Sequence, residues 1–180
     1  VATATSFTLA TTAVSGSTNV TAPTVRVNAG ALITDGVLLS SSVLNIGSGT
    51  FTANVTINKD LTVTCGVGGG TTTQTKGIVI TANGVTIDNC TFSGNIGGDA
   101  FINLDTDVAH SGISIINNIF DGAITTWHLL RAGGNKTDLT IDGNSFTGST
   151  AGTDNALIYL GVAGSNIDIT DNSFSSFPST

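Results

Sequence analysis

Apolar and polar residues alternate in several short segments of the second half of the chain. One such segment is Val85-Thr86-Ile87, and the same alternation returns around Ile115, Ile141 and Ile169. A side-chain period of two with one apolar face predicts β-strands rather than helices. The full segments read VTIDNCTFSG, ISIINNIFDG, LTIDGNSFTG and IDITDNSFSS. They are therefore copies of one repeated unit.

The copies recur at a nearly constant spacing. Their central residues are Ile87, Ile115, Ile141 and Ile169, which are separated by 28, 26 and 28 residues. A fixed period in this range is typical of a solenoid, in which each repeat is a coil stacked on the previous one. We therefore predict one all-β domain, a parallel β-helix of about six or seven coils over residues 19–180. A β-prone N-terminal extension, residues 1–18, precedes it.

Two further columns follow from the alignment of the units. Three units carry asparagine between apolar positions, at Asn118, Asn144 and Asn172. A buried amide without partners costs about 1–3 kcal/mol, but stacked coils bring equivalent residues about 4.8 Å apart, where each amide can bond the next. We predict an asparagine ladder that fixes the register of the coils. The second column consists of Phe92, Phe120, Phe146 and Phe174.

The remaining unit has a cysteine, Cys90, in the asparagine column. Cys65 precedes it by close to one coil period, so the two side chains are expected on adjacent coils. The pair is either a disulfide or two buried free thiols. We predict the disulfide, because the composition described below is typical of secreted proteins.

These repeats resemble the right-handed parallel β-helix proteins of the pectate-lyase-like superfamily. The resemblance rests on the units between Val85 and Ser176, with support from the segment GTFTANVTINKDLTVTCG, residues 49–66. It implies a right-handed coil. It does not imply an activity, because activity depends on a site and not on the fold.

No catalytic motif of that superfamily is present in the chain. Asp142 and Asp168 are predicted on neighbouring coils, and a pair of carboxylates is what glycoside hydrolysis requires. Ile116 is predicted on the same surface, where an apolar residue does not suit a sugar-binding cleft. We therefore favour the interpretation that these aspartates only make surface hydrogen bonds. The run Asp105-Thr106-Asp107 lacks the accompanying Gly-His-Gly and Arg-Ile-Lys elements of polygalacturonases. Arg131 does not lie in a pectate-lyase arginine motif. We predict no catalytic residue and no cofactor.

Metal binding receives little support from the sequence. Asp99, Asp105 and Asp107 are weak candidates for calcium, which prefers carboxylate oxygens. His110 and His128 do not have the spacing of metal ligands. We therefore predict no metal site.

Charge and composition restrict the partners and the location. The chain has 12 acidic residues against 5 lysines and arginines, a net charge of −7, and no basic patch, which excludes nucleic acid. The chain contains no run of about 18 apolar residues, so no membrane span is predicted. A surface rich in Thr, Ser, Asn and Gly, and a start at Val1 without the basic and apolar regions of a signal peptide, fit a mature extracellular chain from which the signal peptide has been removed. Candidate glycosylation sites are Asn19, Asn54 and Asn135.

The two ends of the chain predict assembly. The segment VATATSFTLATTAV, residues 1–14, is β-prone and places Phe7 and Leu9 on one side, while Phe174 and Phe177 lie at the C-terminal edge. The N-terminal strand either pairs with the open edge of a neighbouring subunit or folds back and caps its own first coil. In the first case, the head-to-tail contact does not close and makes a filament.

We predict a secreted structural protein whose partner is itself, the subunit of an extracellular filament, fibre or surface layer. The alternative is a carbohydrate-binding or polysaccharide-degrading β-helix, with Trp127 and Tyr159 available to stack on sugars. A third hypothesis is an ice-binding face built from Thr86 and its outward-facing neighbours along the repeats, which Ile116 and Asp168 make irregular.

Overall fold

The computed structural model describes most of the second half of the chain and selected strands of the first half. The described residues are 60–66, 77–96, 100–104, 109–124, 128–147, 156–161 and 164–175, together with the strands at 7–9, 24–27, 42–46, 49–51, 55–57, 72–74 and 149–150.

The described residues form β-strands in three sheets and no helix. The first sheet has eight strands in the spatial order β1 (Phe7–Leu9), β2 (Thr24–Val27), β3 (Ser42–Ile46), β6 (Leu61–Cys65), β9 (Thr86–Asp88), β12 (His110–Ile116), β15 (Lys136–Asp142) and β19 (Ser165–Thr170). The second sheet has the order β4 (Gly49–Phe51), β7 (Thr72–Gln74), β10 (Thr91–Ile96), β13 (Ile119–Ile124), β16 (Ser145–Phe146) and β20 (Ser173–Phe174), with β17 (Ser149–Thr150) also beside β13. The third sheet has the order β5 (Val55–Ile57), β8 (Ile78–Ile80), β11 (Ile102–Leu104), β14 (Leu130–Ala132) and β18 (Ile158–Leu160).

Every strand pair in the three sheets is parallel, and the chain visits the sheets in turn. Strands β12, β13 and β14 belong to the first, second and third sheets, and β15 then returns to the first sheet beside β12. Parallel neighbours need a crossover connection, and here the strands of the other two sheets provide it. The prediction of an all-β protein with stacked parallel strands is confirmed.

The register of the sheets follows the columns read from the sequence. In the first sheet, Ile87, Ile115, Ile141 and Ile169 are successive partners. The phenylalanine column is continuous in the second sheet, and its rings stack with centroids 4.9 Å apart for Phe92 and Phe120 and 4.7 Å apart for Phe120 and Phe146. The apolar side of each repeat therefore faces the space between the sheets and builds the core.

Two columns of residues with positive φ mark the turns that flank the first sheet. One consists of Asn89 (58°), Asn117 (55°), Gly143 (63°) and Asp171 (51°). The other consists of Gly84 (68°), Gly112 (66°), Asp138 (53°) and Asn166 (55°). Gly, Asn and Asp adopt this conformation at the lowest cost, which explains why the repeats vary among these three residues at these positions. Sequence analysis did not identify these columns.

The N-terminal strand β1 lies in the first sheet of its own chain. It pairs in parallel with β2, so that Phe7 is opposite Val25. The same register continues through Leu44 to Val63. The segment 1–18 thus contributes a strand to the same sheet as residues 19–180. These first register positions follow one another more closely along the chain than the isoleucines of the later coils do.

Candidate functional site

The predicted ladder residues form a directional chain of hydrogen bonds. The Asn144 side-chain oxygen accepts from the backbone N–H of Asn118 at 2.9 Å and from the Asn118 side-chain amide at 3.0 Å. Asn144 in turn donates to the Asn172 oxygen from its backbone and from its side chain, both at 2.9 Å. Each asparagine also donates to a strand carbonyl of the preceding coil, as Asn144 does to Ile115 at 2.8 Å. The amides are therefore satisfied although Asn118 and Asn144 are buried.

The disulfide stands at the N-terminal start of this ladder. Cys65, the last residue of β6, is bonded to Cys90, which lies two residues after the adjacent strand β9, with a Cα–Cα distance of 4.9 Å. The backbone N–H of Cys90 donates to the Asn118 oxygen at 2.9 Å, as the N–H of an asparagine does one coil later. The covalent link thus replaces the amide link at the coil where the ladder begins.

The ladder ends at Asn172, which lies on the last described coil. Its side-chain amide donates to the Ile141 carbonyl at 2.7 Å, and its oxygen is occupied by Asn144. Among the described residues, no side-chain oxygen lies over the Asn172 N–H in the way that Asn172 lies over Asn144. The Asn172 N–H at this end of the ladder is therefore a hydrogen-bond donor for which a further coil could supply the acceptor.

The buried columns end at the same surface, which we call the C-terminal face and define by Leu160, Ile169, Asn172 and Phe174. Ile169 is 42% exposed and Phe174 49%, whereas their partners one coil earlier, Ile141 and Phe146, are completely buried. Leu160 is 38% exposed. Each of the three sheets has its last strand here, namely β19, β20 and β18. The face therefore exposes a cross-section of the core.

The predicted assembly residues that the structure describes lie at opposite ends of the sheets. Phe174 lies on the C-terminal face, and its ring stacks on Phe146 with centroids 5.2 Å apart. Phe7 and Leu9 are strand positions at the opposite end of the first sheet. Phe177 lies outside the described residues. Two of the three placed residues are thus at one end of the sheet stack and one is at the other.

Two acids of β15 accept hydrogen bonds from the next strand of the first sheet, β19. Asp142 accepts from the Thr170 hydroxyl at 2.7 Å, and Asp138 accepts from the Asn166 amide at 2.8 Å. Asp168 is opposite Thr140, so Asp142 and Asp168 are diagonal neighbours and not direct partners. This arrangement uses the Asp142 carboxylate for structure, as the surface hydrogen-bonding interpretation expects.

One patch on the third sheet combines polar and aromatic groups. Asn103, Arg131 and Tyr159 are successive partners on its outer side. Tyr159 is 39% exposed, and its ring stacks on His128 with centroids 4.5 Å apart and an interplanar angle of 8°. Nδ1 of His128 lies 3.0 Å from the Ala156 backbone nitrogen and 3.1 Å from the Ala156 carbonyl oxygen, so the backbone of Ala156 fixes the position of the imidazole ring in either tautomer. His128 therefore supports the tyrosine ring.

Several predicted sites cannot be placed. Asp99, Asp105, Asp107, Asn19 and Asn54 lie outside the described residues. Trp127 does as well. Asn135 is exposed and lies directly before β15, where there is room for a glycan.

The described part of the chain contains neither a metal-binding cluster nor a membrane-spanning helix. No group of three or more His, Cys, Asp or Glu side chains there has the proximity needed to hold a metal ion. No helix there has the length and the apolar character needed to cross a membrane.

Comparison of the chain with protein-family models, with curated proteins and with solved structures gave no match.

Proposed function

We propose that the protein is a secreted structural subunit that assembles head to tail into an extracellular filament, fibre or surface layer. It is a right-handed parallel β-helix, similar to the pectate-lyase-like superfamily but without its catalytic residues. The observation that carries the proposal is the C-terminal face, where Ile169 and Phe174 extend buried columns into solvent. An open strand edge with an apolar cross-section is a site for another chain to add to.

The direction of assembly follows from the parallel sheets. The C-terminal face of one copy and the N-terminal end of the next are different surfaces, so the contact is heterologous. A heterologous contact that repeats along the strand-stacking direction produces an open filament. The Cys65–Cys90 disulfide supports an oxidising location such as the cell exterior.

Electron microscopy of two matched variants tests the proposal. Ile169 and Ile119 are similarly exposed, at 42% and 44%, but Ile169 lies on the C-terminal face and Ile119 on the side of the solenoid. We expect the intact chain and Ile119→Asp to form filaments in negative stain, and Ile169→Asp to remain monomeric. A monomeric intact chain, or equal assembly of the two variants, would contradict the proposal.

Carbohydrate binding is the second candidate function, favoured by the exposed Tyr159 beside Arg131. An aromatic ring held flat against His128 offers a stacking surface for a sugar. Affinity electrophoresis in gels containing plant and bacterial polysaccharides tests this function. Retardation that is lost in Tyr159→Ala and kept in Ile119→Ala would support it.

A further inference from the structure

The C-terminal face repeats a contact that is already made between earlier coils. In each of these contacts, the side-chain oxygen of an asparagine accepts from the backbone N–H at the equivalent position one coil earlier. The donor and acceptor pairs are Cys90 with Asn118, Asn118 with Asn144, and Asn144 with Asn172, each at 2.9 Å. The same short distance at successive coils indicates that the coil offers a preformed position for this oxygen.

The nitrogen of each asparagine side chain has a fixed partner as well. It donates to an isoleucine carbonyl of the preceding coil, at 2.9 Å for Ile87, 2.8 Å for Ile115 and 2.7 Å for Ile141. The isoleucine carbonyl and the backbone N–H three residues later therefore hold the two ends of one primary amide. A carboxylate cannot make both bonds, because it has no hydrogen to donate to the carbonyl.

A second backbone N–H lies beside this amide position. The Gly143 N–H donates to the Thr170 carbonyl at 3.1 Å, and Asn89 and Asn117 donate to the next coil in the same way. All three donors have a positive φ. Successive N–H groups around such a residue point to one side and form a concave pair of donors. Each coil thus presents two adjacent donors and one acceptor to the coil that follows.

The next copy of this set lies on the C-terminal face. It consists of the N–H groups of Asp171 and Asn172 and the carbonyl of Ile169, in the register of the sets before it. Asp171 keeps the positive φ of its column, at 51°. In the described part of the first sheet, β19 is the last strand, and no described asparagine lies over the set. The amide position is therefore built, and an added strand can fill it.

Charge near the set favours a neutral ligand. Asp168 and Asp171 are exposed and adjoin Ile169 and Asn172 in the chain. Their carboxylates repel an anionic ligand and do not repel an amide. The net charge of −7 acts in the same direction.

We propose that the C-terminal face recognises a carboxamide, and that its occupant is an added β-strand with an asparagine over Asn172 and an apolar residue over Ile169. The inference deepens the proposed function and rests on it for the source of this strand, which in a filament is the next copy of the chain. The internal contacts define the pattern of the occupant. An asparagine follows the apolar residue by three positions, as Asn144 follows Ile141. An aromatic residue two positions later would lie over Phe174, as Phe174 lies over Phe146.

A peptide with the sequence of one repeat tests the site without requiring filaments. The peptide LTIDGNSFT, residues 139–147, carries this pattern, and its residues already pair with the last coil inside the chain. Fluorescence anisotropy measures binding of the labelled peptide to the full chain. We expect Asn144→Ala or Asn144→Asp in the peptide to weaken binding about tenfold or more, because the amide bonds are lost. In the full chain, Ile169→Asp should abolish binding and Ile119→Asp should leave it unchanged.

The outcomes separate the inference from the proposed function. Equal binding of the three peptides would overturn the inference, since the face would then add a strand without recognising its amide. Absence of binding by the unsubstituted peptide would overturn it as well. Both results leave head-to-tail assembly to the electron microscopy of the intact chain.

Competition in the assembly reaction links the two proposals. Filaments that the unsubstituted peptide shortens, and the Asn144→Asp peptide does not, would support both. Amide-selective binding by a chain that forms no filaments would overturn the proposed function and the next copy as the occupant, and would support the carboxamide site.

Discussion

The substitution Asn144→Ala measures how much the asparagine ladder contributes to the stability of the protein. Asn144 is 1% exposed, and its side chain is joined to Asn118, Ile115 and Asn172. Its removal leaves the buried N–H of Asn118 and one acceptor position of the Ile115 carbonyl without a partner. Each such loss costs about 1–3 kcal/mol. We expect the free energy of unfolding to fall by about 3–5 kcal/mol.

Urea unfolding followed by far-ultraviolet circular dichroism gives this free energy from the midpoint and the slope. Two controls define the ladder effect. Asn172→Ala acts at the solvated end of the ladder, where water replaces the lost partner, and should cost about 1 kcal/mol. Asn117→Gly removes an exposed hydrogen bond to Asp88 but suits the positive φ of 55°, and should change the stability by less than about 0.5 kcal/mol. An Asn144→Ala cost no larger than that of Asn172→Ala would refute the reasoning.

Three further predictions follow from the fold. Phe120 is completely buried in the middle of the ring stack, so Phe120→Ala should lower the free energy of unfolding in urea by about 3–5 kcal/mol. Phe174→Ala should lower it by less than about 1 kcal/mol, because Phe174 is 49% exposed. Similar values for the two variants would contradict the stack as the core. Cys65→Ser/Cys90→Ser should lower the stability by about 3 kcal/mol, measured the same way against the oxidised chain, and an unchanged midpoint would contradict a structural role. Raising the salt concentration from about 0.01 to 0.15 M should lower the critical concentration for assembly seen by light scattering, because it screens repulsion between subunits of charge −7; a higher critical concentration would show that attraction between charges dominates.

Sequence reasoning identified the repeats but only part of what holds them together. The period-two pattern and the recurrence of asparagine and phenylalanine predicted the columns because stacking places identical residues side by side. The same signal did not reveal the N-terminal repeats. There Phe7, Val25 and Leu44 follow one another at a shorter spacing than the later isoleucines and share only an apolar character, so the pattern was too weak to separate from an extension strand.

The candidate site illustrates the same division. The sequence alone placed Phe174 in the last recognisable repeat and predicted an open edge there. It could not show that Ile169, Leu160 and Phe174 emerge on one face, since they belong to three different sheets. It also could not give the direction of the ladder, because an asparagine side chain both donates and accepts.

What the sequence determined by itself is the local conformation and the identity of each column, because both depend on side-chain alternation and on a repeat length that are visible along the chain. What only the tertiary structure decided is how columns from distant residues are combined. The hydrogen bonds of Asn144 reach residues 26 to 29 positions away, and the strand that covers the edge of β2 comes from the same chain. Such pairings depend on the register between coils, which is fixed only when the coils stack.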